Sequence, residues 1–312
     1  MVQNQLPSKL LSRYQISQEL SFGGFGNTYL AIDTALPDNP LCVVKHLSPK
    51  DSSPEGLSIA KKLFEREAKC LHQLGKKHEQ IPTLYAYFCE NEQFYLVQEY
   101  IQGNPLTEEL TPGKQCSETD VIILLRDILQ VLEFIHQKQV IHRDLKPSNL
   151  IRRACDRKIV LIDFGAVKQI STQTIDSQGN AASTVAVGTP EYMPCEQTMG
   201  HPRPCSDIYA LGIIAIQALT GIKPKNLTKN KDTLELTWRN QAPQVSDELA
   251  TILDKMVRYD CRDRYQNISQ VLQHFLVLEK KAVIVNKSRS ENLPSANPIV
   301  DSLDATIPLG MQ

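Results

Sequence analysis

Two stretches decide the reading. The first is Ile141-His142-Arg143-Asp144-Leu145-Lys146-Pro147-Ser148-Asn149-Leu150. The second, Ile159-Val160-Leu161-Ile162-Asp163-Phe164-Gly165, places Asp163 nineteen residues after Asp144. Asp144, a lysine two later and an amide five later put a proton acceptor, a cation and a metal-binding oxygen on one loop. Asp163 ends an apolar strand and adds a second metal ligand, with glycine behind it for backbone freedom. Two hard oxygen donors, Asn149 and Asp163, suit magnesium, which keeps waters and binds through carboxylates together with substrate phosphates.

Upstream, Leu20-Ser21-Phe22-Gly23-Gly24-Phe25-Gly26-Asn27-Thr28 is a strand, a glycine cluster and the start of a returning strand. Such a hairpin can lay backbone N–H groups over phosphates, although by itself it reads more readily as a plain turn. Cys42-Val43-Val44-Lys45 follows, and Glu67 comes 22 residues after Lys45. Alone, Lys45 reads as a surface lysine and Glu67 as a solvated charge. Beside the two deciding stretches they read as a strand lysine that holds phosphates and a helix carboxylate that holds the lysine.

Around these residues the first hundred positions look strand-rich. Tyr14 to Ser21, Asn27 to Ile32, Leu41 to Leu47, Leu84 to Cys89 and Phe94 to Tyr100 read as strands, with Asn91 and Glu92 as turn residues. Leu57 to Leu74 has helical spacing, with Ile59, Leu63 and Leu71 near one face. Beyond Gly103 the pattern turns helical. Ser117 caps a helix carrying Leu124, Leu125, Ile128, Leu129, Leu132 and Ile135, Leu211 to Leu219 reads as a buried helix, and Ser246 caps another with Leu249, Ile252, Leu253, Met256 and Val257. From Asn286 no periodicity survives, and that tail reads as mostly disordered.

Bulk properties fit a soluble globular protein. The chain has 312 residues and a formal net charge of -1, so charge gives no sign of a nucleic-acid or membrane partner. No segment approaches the ~20 apolar residues that span a bilayer. Eight cysteines without a CxxC pair read as reduced thiols in the cytoplasm.

The combined motifs resemble the eukaryotic-like serine/threonine protein kinase family, in a bacterial style, over 14–278. The resemblance implies an α+β bilobal fold. It has a small β-rich lobe with one regulatory helix (14–101), a larger, mainly helical lobe (102–278), an N-terminal extension (1–13) and a tail (279–312). It implies ATP and Mg2+ as cofactors and serine/threonine hydroxyls of proteins as acceptors, and it leaves a homodimer open. Asp144 matches the catalytic base and Lys146 the cation near the γ-phosphate, while Asn149 and Asp163 match the metal ligands. Leu20, Ser21, Phe22, Gly23, Gly24, Phe25, Gly26 and Thr28 belong to the nucleotide-covering loop, where Ser21 replaces the usual first glycine. Val43, Lys45, Glu67, Gln98, Glu99, Ile101 and Ile151 complete the nucleotide set, with Gln98 at the gatekeeper position and Val43 replacing an alanine. Glu196 is expected to pair with Arg264, Asp207 to anchor the catalytic loop, and Leu71, Leu84, His142 and Phe164 to stack. Lys146 and Thr189 favour serine/threonine over tyrosine. Autophosphorylation at Ser183 or Thr184, read through Arg143, is a further expectation. The rival readings are a scaffold that has lost catalysis and a small-molecule phosphotransferase. The intact set Lys45, Glu67, Asp144, Asn149 and Asp163 speaks against the scaffold. The Gly188-Thr189-Pro190-Glu191 segment and Glu196 speak against the small-molecule enzyme.

Overall fold

The computed structural model describes residues 8–22, 26–48, 53–166, 168–169 and 188–277. The tail beyond 277, the glycines at 23 and 24, Phe25, and the serines and threonines between 171 and 184 lie outside the described residues.

Alternation of inward and outward side chains builds the small lobe. Its sheet runs β1 (Lys9–Leu10), β2 (Tyr14–Phe22), β3 (Gly26–Asp33), β4 (Leu41–Leu47), β6 (Gln93–Glu99), β5 (Leu84–Glu90), antiparallel throughout. Successive residues face opposite sides. Tyr29, Ala31, Cys42, Val44, Tyr95 and Val97 therefore make one buried cluster with Leu10 and Tyr14. The opposite face carries Thr28, Val43, Lys45, Leu96 and Gln98, paired across β3, β4 and β6. Asn91 and Glu92, both at positive φ, make the turn between β5 and β6. This is the left-handed pair that a two-residue hairpin requires.

Helix α1 (Pro54–Leu74) is capped by Ser53, whose hydroxyl accepts from the Gly56 N–H at 3.0 Å. Its buried face is Ala60, Leu63, Phe64, Glu67, Ala68 and Leu71. Ile59 does not join it and is 38% exposed. Spacing gave it the right side of the helix, but Leu57 and Ile59 sit on exposed first turns. Expected apolar periodicity thus held for Leu63 and Leu71 and failed for Ile59.

The large lobe packs around α3 (Glu118–Gln137) and α5 (Pro204–Thr220), with α6 (Asp247–Met256) and α7 (268–277) beyond. Ser117 caps α3 through the Asp120 N–H at 3.1 Å, and Ser246 caps α6 through the Leu249 N–H at 3.3 Å. Nearly every residue of α5 is buried, which explains its apolar character all round. The region beyond Gly103 is not purely helical. Short strands β7 (Gly103–Pro105), β9 (Leu150–Arg153) and β10 (Ile159–Leu161) form one sheet, and β8 (Val140–Ile141) pairs with β11 (Lys168–Gln169). These strands frame the loop that carries Asp144.

Two links between the lobes lie outside the cleft. One is the passage from β6 to β7. The other is the segment between α1 and β5, where Gln80 is 3% exposed. Its side-chain nitrogen donates to the Asp127 carboxylate at 2.9 Å and to the Ile159 carbonyl at 2.8 Å, and its own carbonyl accepts from the Leu161 N–H at 2.9 Å.

Candidate active site

Lys45 sits on the face of β4 turned toward α1. Its Nζ lies 2.5 Å from Glu67 Oε1 and 3.1 Å from Asp163 Oδ1. Burial alone would lower the Lys45 ammonium, but the Asp163 and Glu67 carboxylates more than reverse this and hold it above the ordinary lysine range. Lys45 in turn holds Asp163 below the usual carboxylate range, against the effect of burial. The two lobes are therefore bridged here by a charge-assisted contact between β4 and the second residue after β10.

Asp144 follows β8 on a loop held from below. Asp207 of α5 is wholly buried and accepts the backbone N–H of His142 at 2.8 Å and of Arg143 at 2.9 Å, with the His136 ring at 2.8 Å. Burial by itself raises Asp207, and His136 with these N–H donors brings it below the usual range. Arg143 and Asp163 both adopt positive φ, 72° and 68°. Non-glycine residues rarely do so, and such strain collects where a site needs it.

The Asp144 carboxylate has three side-chain partners. Thr189 Oγ1 donates to Oδ1 at 2.8 Å, Lys146 Nζ lies 2.8 Å from Oδ2, and Asn149 Nδ2 donates to Oδ2 at 3.1 Å. Lys146 also donates to Thr189 Oγ1 at 3.0 Å. With its nitrogen committed to Asp144, Asn149 keeps its side-chain oxygen without a partner among the described residues. His142 and Phe164 meet edge to face at 5.1 Å, both fully buried, with Leu71 buried and Leu84 partly buried in the same core.

The downstream segment is locked to this loop. Gly188 has φ 139°, and a Cβ there would come within 2.8 Å of the Arg143 carbonyl. Only glycine lets the chain pass that close. Gln197 Nε2 donates to the same carbonyl at 2.5 Å. Glu196 pairs with Arg264 at 2.7 Å and accepts from the Ser206 hydroxyl at 2.7 Å.

The nucleotide-set residues divide. Thr28, Val43, Lys45 and Gln98 share the cleft-facing side of the sheet, and Glu67 and Asp163 meet them there. A cavity of about 140 Å³ against α1 is lined by Thr28, Lys45, Glu67 and Asp163, and not by Val43 or Gln98. Ser21 pairs regularly with Thr28 and takes no positive φ, so its position does not demand glycine. A Cβ on Gly26 would lie 2.0 Å from the His46 carbonyl, so that position does demand it. Leu20 falls at a β-bulge and is 43% exposed, and Phe22 ends β2. Glu99 spends its N–H on the Thr83 carbonyl at 2.9 Å. Ile101 is buried, and Ile151 pairs with Pro105 and Val160. Gly23, Gly24 and Phe25 lie outside the described residues. A second cavity, of about 1170 Å³, lies elsewhere, between α6 and α7, and holds none of these groups. Gln80 and its link to Asp127 were not anticipated from sequence; a glutamine in a loop carries no local signal of such a role.

Comparison with known proteins agrees with this geometry. A family model described as a protein kinase domain matches residues 14–277. The chain is 48% identical over 268 residues to serine/threonine-protein kinase C of Synechocystis sp. (strain ATCC 27184 / PCC 6803 / Kazusa), covering 86% of this chain and 50% of that protein. It is 44% identical over 262 residues to serine/threonine-protein kinase PknA of Nostoc sp. (strain PCC 7120 / SAG 25.82 / UTEX 2576), covering 84% of this chain and 46% of that protein. Serine/threonine-protein kinase PrkC of Bacillus subtilis (strain 168) is 27% identical over 308 residues, covering 94% of this chain and 45% of that protein. The chain spans about half the length of these relatives. With a matched domain over most of its length and bacterial kinases as its relatives, the chain belongs to the protein kinase family.

Proposed function

We propose that the chain transfers the γ-phosphoryl group of ATP to serine and threonine hydroxyls of protein substrates. The observation that carries this reading is the arrangement of Asp144, Lys146, Thr189, Asn149 and Asp163 on one side of the cleft, with Lys45 and Glu67 facing them from the other. Phosphoryl transfer needs positioning and charge neutralisation more than covalent help from the protein. Asp144 orients the incoming hydroxyl and accepts its proton late in the transfer. Lys146, already against Asp144 and Thr189, balances charge on the moving phosphoryl group. Lys45, kept protonated by its two carboxylates, faces the α- and β-phosphates. The residues present fit a divalent cation: the side-chain oxygen of Asn149 has no partner among the described residues, and Asp163 has one oxygen beyond that which contacts Lys45. Magnesium bound there would neutralise phosphate charge. Among the described residues no helix is long and apolar enough to cross a membrane. The eight unpaired thiols support the cytoplasm as the working compartment. A homodimer is a further part of the proposal, and light scattering tests it.

The experiment is transfer of label from γ-labelled ATP, with magnesium, to a generic basic protein and to the chain itself. Label on serine and threonine that disappears in Asp144→Asn and Asp163→Asn supports the proposal. A wild-type protein that gives no label after pre-incubation with ATP overturns it and leaves the catalytically silent scaffold.

A further inference from the structure

Residues 8–13 precede the matched stretch, which begins at Tyr14, yet they fasten three strands of the small lobe together. β1 pairs with β2, and the Ile16 N–H donates to the Ser8 carbonyl at 3.0 Å. The Arg13 guanidinium grips Asp33, the last residue of β3, through Nε at 2.7 Å and Nη2 at 2.6 Å. The Arg13 carbonyl accepts the Thr34 N–H at 3.0 Å and the Thr34 hydroxyl at 2.8 Å. The Leu11 N–H donates to the carboxylate of Glu90, the last residue of β5, at 3.2 Å. β1 and β5 are the two edges of the sheet, so this bond draws its edges together.

The turn that makes these contacts is strained. Leu11 and Ser12 have φ of 47° and 50°, and the Arg13 N–H donates back to the Leu10 carbonyl at 2.9 Å. Left-handed backbone suits leucine poorly, and the Leu11 side chain recovers little by packing, since it is 47% exposed. Such a conformation persists only where its surroundings over-determine it, and strain of this kind gathers at functional positions. β2 and β3 are the arms of the hairpin that carries the glycine cluster: β2 ends at Phe22 and β3 begins at Gly26. The fastening acts at the other end, where β2 begins and β3 ends. Register shifts at Ile16/Gln18 and Glu19/Ser21 interrupt the arms between the two ends. Bulges bend and twist a strand, and among the described residues β2 has only β3 and the two residues of β1 as sheet partners. A hairpin so placed is soft unless its far end is held.

We infer that Arg13 and Glu90 are positioning residues for the nucleotide: by locking the far end of the β2–β3 hairpin they pre-organise its tip over the phosphates. This deepens the nucleotide-binding reading above and rests on it. A covering loop already held in place loses less freedom when its ligand binds, so rigidity at a distance becomes affinity. The gain belongs to the phosphates, which lie under the hairpin tip. The base, in the same reading, lies against Val43 and the Glu99–Ile101 segment and takes little from it.

The test compares ATP with adenosine. Affinities for both are measured by calorimetry, with magnesium, in the wild type and in Glu90→Ala, which removes the acceptor for the Leu11 N–H. The urea midpoint is measured alongside. The affinity for ATP should fall about threefold to tenfold while that for adenosine stays within about twofold, as expected when only the phosphate cover is loosened. In phosphoryl transfer the KM for ATP should rise by a similar factor with kcat retained. A merely structural clamp would lower the urea midpoint while leaving both affinities unchanged or weakening both alike. Either result overturns the positioning role and leaves nucleotide binding standing. Failure of the wild type to bind ATP overturns both readings. Arg13→Lys keeps a charge beside Asp33 but loses the two-pronged grip, and it is held to the same expectation should Glu90→Ala not fold.

Discussion

Arg264 reaches Glu196 across 68 residues of sequence, with two contacts of 2.7 and 3.2 Å and no exposure of the arginine side chain. The remaining donors of Arg264 go to the backbone carbonyls of Arg258, Tyr259 and Cys205. The pair fastens the segment below Thr189 to the start of α7. Arg264→Ala leaves a buried carboxylate without its cation and should cost about 3–5 kcal/mol, read as a fall in the urea midpoint. Glu196→Gln keeps the shape and one acceptor, so its loss should be smaller.

Asp144→Asn keeps one acceptor oxygen for Thr189 but turns the other, which faces Lys146 and the Asn149 side-chain nitrogen, into an NH2 donor, and it removes the negative charge and the ability to take a proton. Phosphoryl transfer should fall by about 10²–10⁴-fold while the circular dichroism spectrum is retained. An activity within a factor of two of wild type would remove Asp144 from its assigned role.

Leu10 lies before the matched stretch, yet it is wholly buried in the cluster inside the small-lobe sheet. Leu11 is also held there, its N–H donating to Glu90 at 3.2 Å. Leu10→Ala should cost about 2–5 kcal/mol by equilibrium unfolding. A variant beginning at Tyr14 should lose at least as much.

Burial pushes His46, His78 and His142 below the ordinary histidine value of 6.5. A folded-state pKa below the unfolded one means that the unfolded chain binds more protons as pH falls. Stability from these groups is present above about pH 6.5 and is lost as pH falls through that value toward the folded pKa values. The urea midpoint should therefore drop between pH 7.5 and pH 5.5. The drop should be smaller in His46→Gln, which lacks one of the three groups; an identical drop in both proteins removes His46 from the account.

The chemistry was far more legible in the sequence than the scaffolding. Asp144, Lys146, Asn149 and Asp163 stand close together in two strings, and their residue types announce what they do. The Glu196–Arg264 and Asp207 contacts were reachable only through family resemblance, since 68 and 64 residues separate the partners. Strands β7 to β11 are two to four residues long, too short to show a period of two. Leu10 gave no signal because its partners lie on strands that follow it. Ile59 misled because spacing reports the side of a helix and not whether anything is packed against that turn.

Gln80 has a mechanical consequence. A small lobe joined to the large one only through β6 and β7 would be free to swing and twist about a single strand. The bonds from Gln80 to Asp127, Ile159 and Leu161 add a second pivot. Two pivots define an axle, and a body on an axle has one easy motion left. Any opening of the cleft should then follow that one axis. Lys45 and Glu67 ride together on the moving half, so each closing stroke delivers them to Asp163 at the same angle.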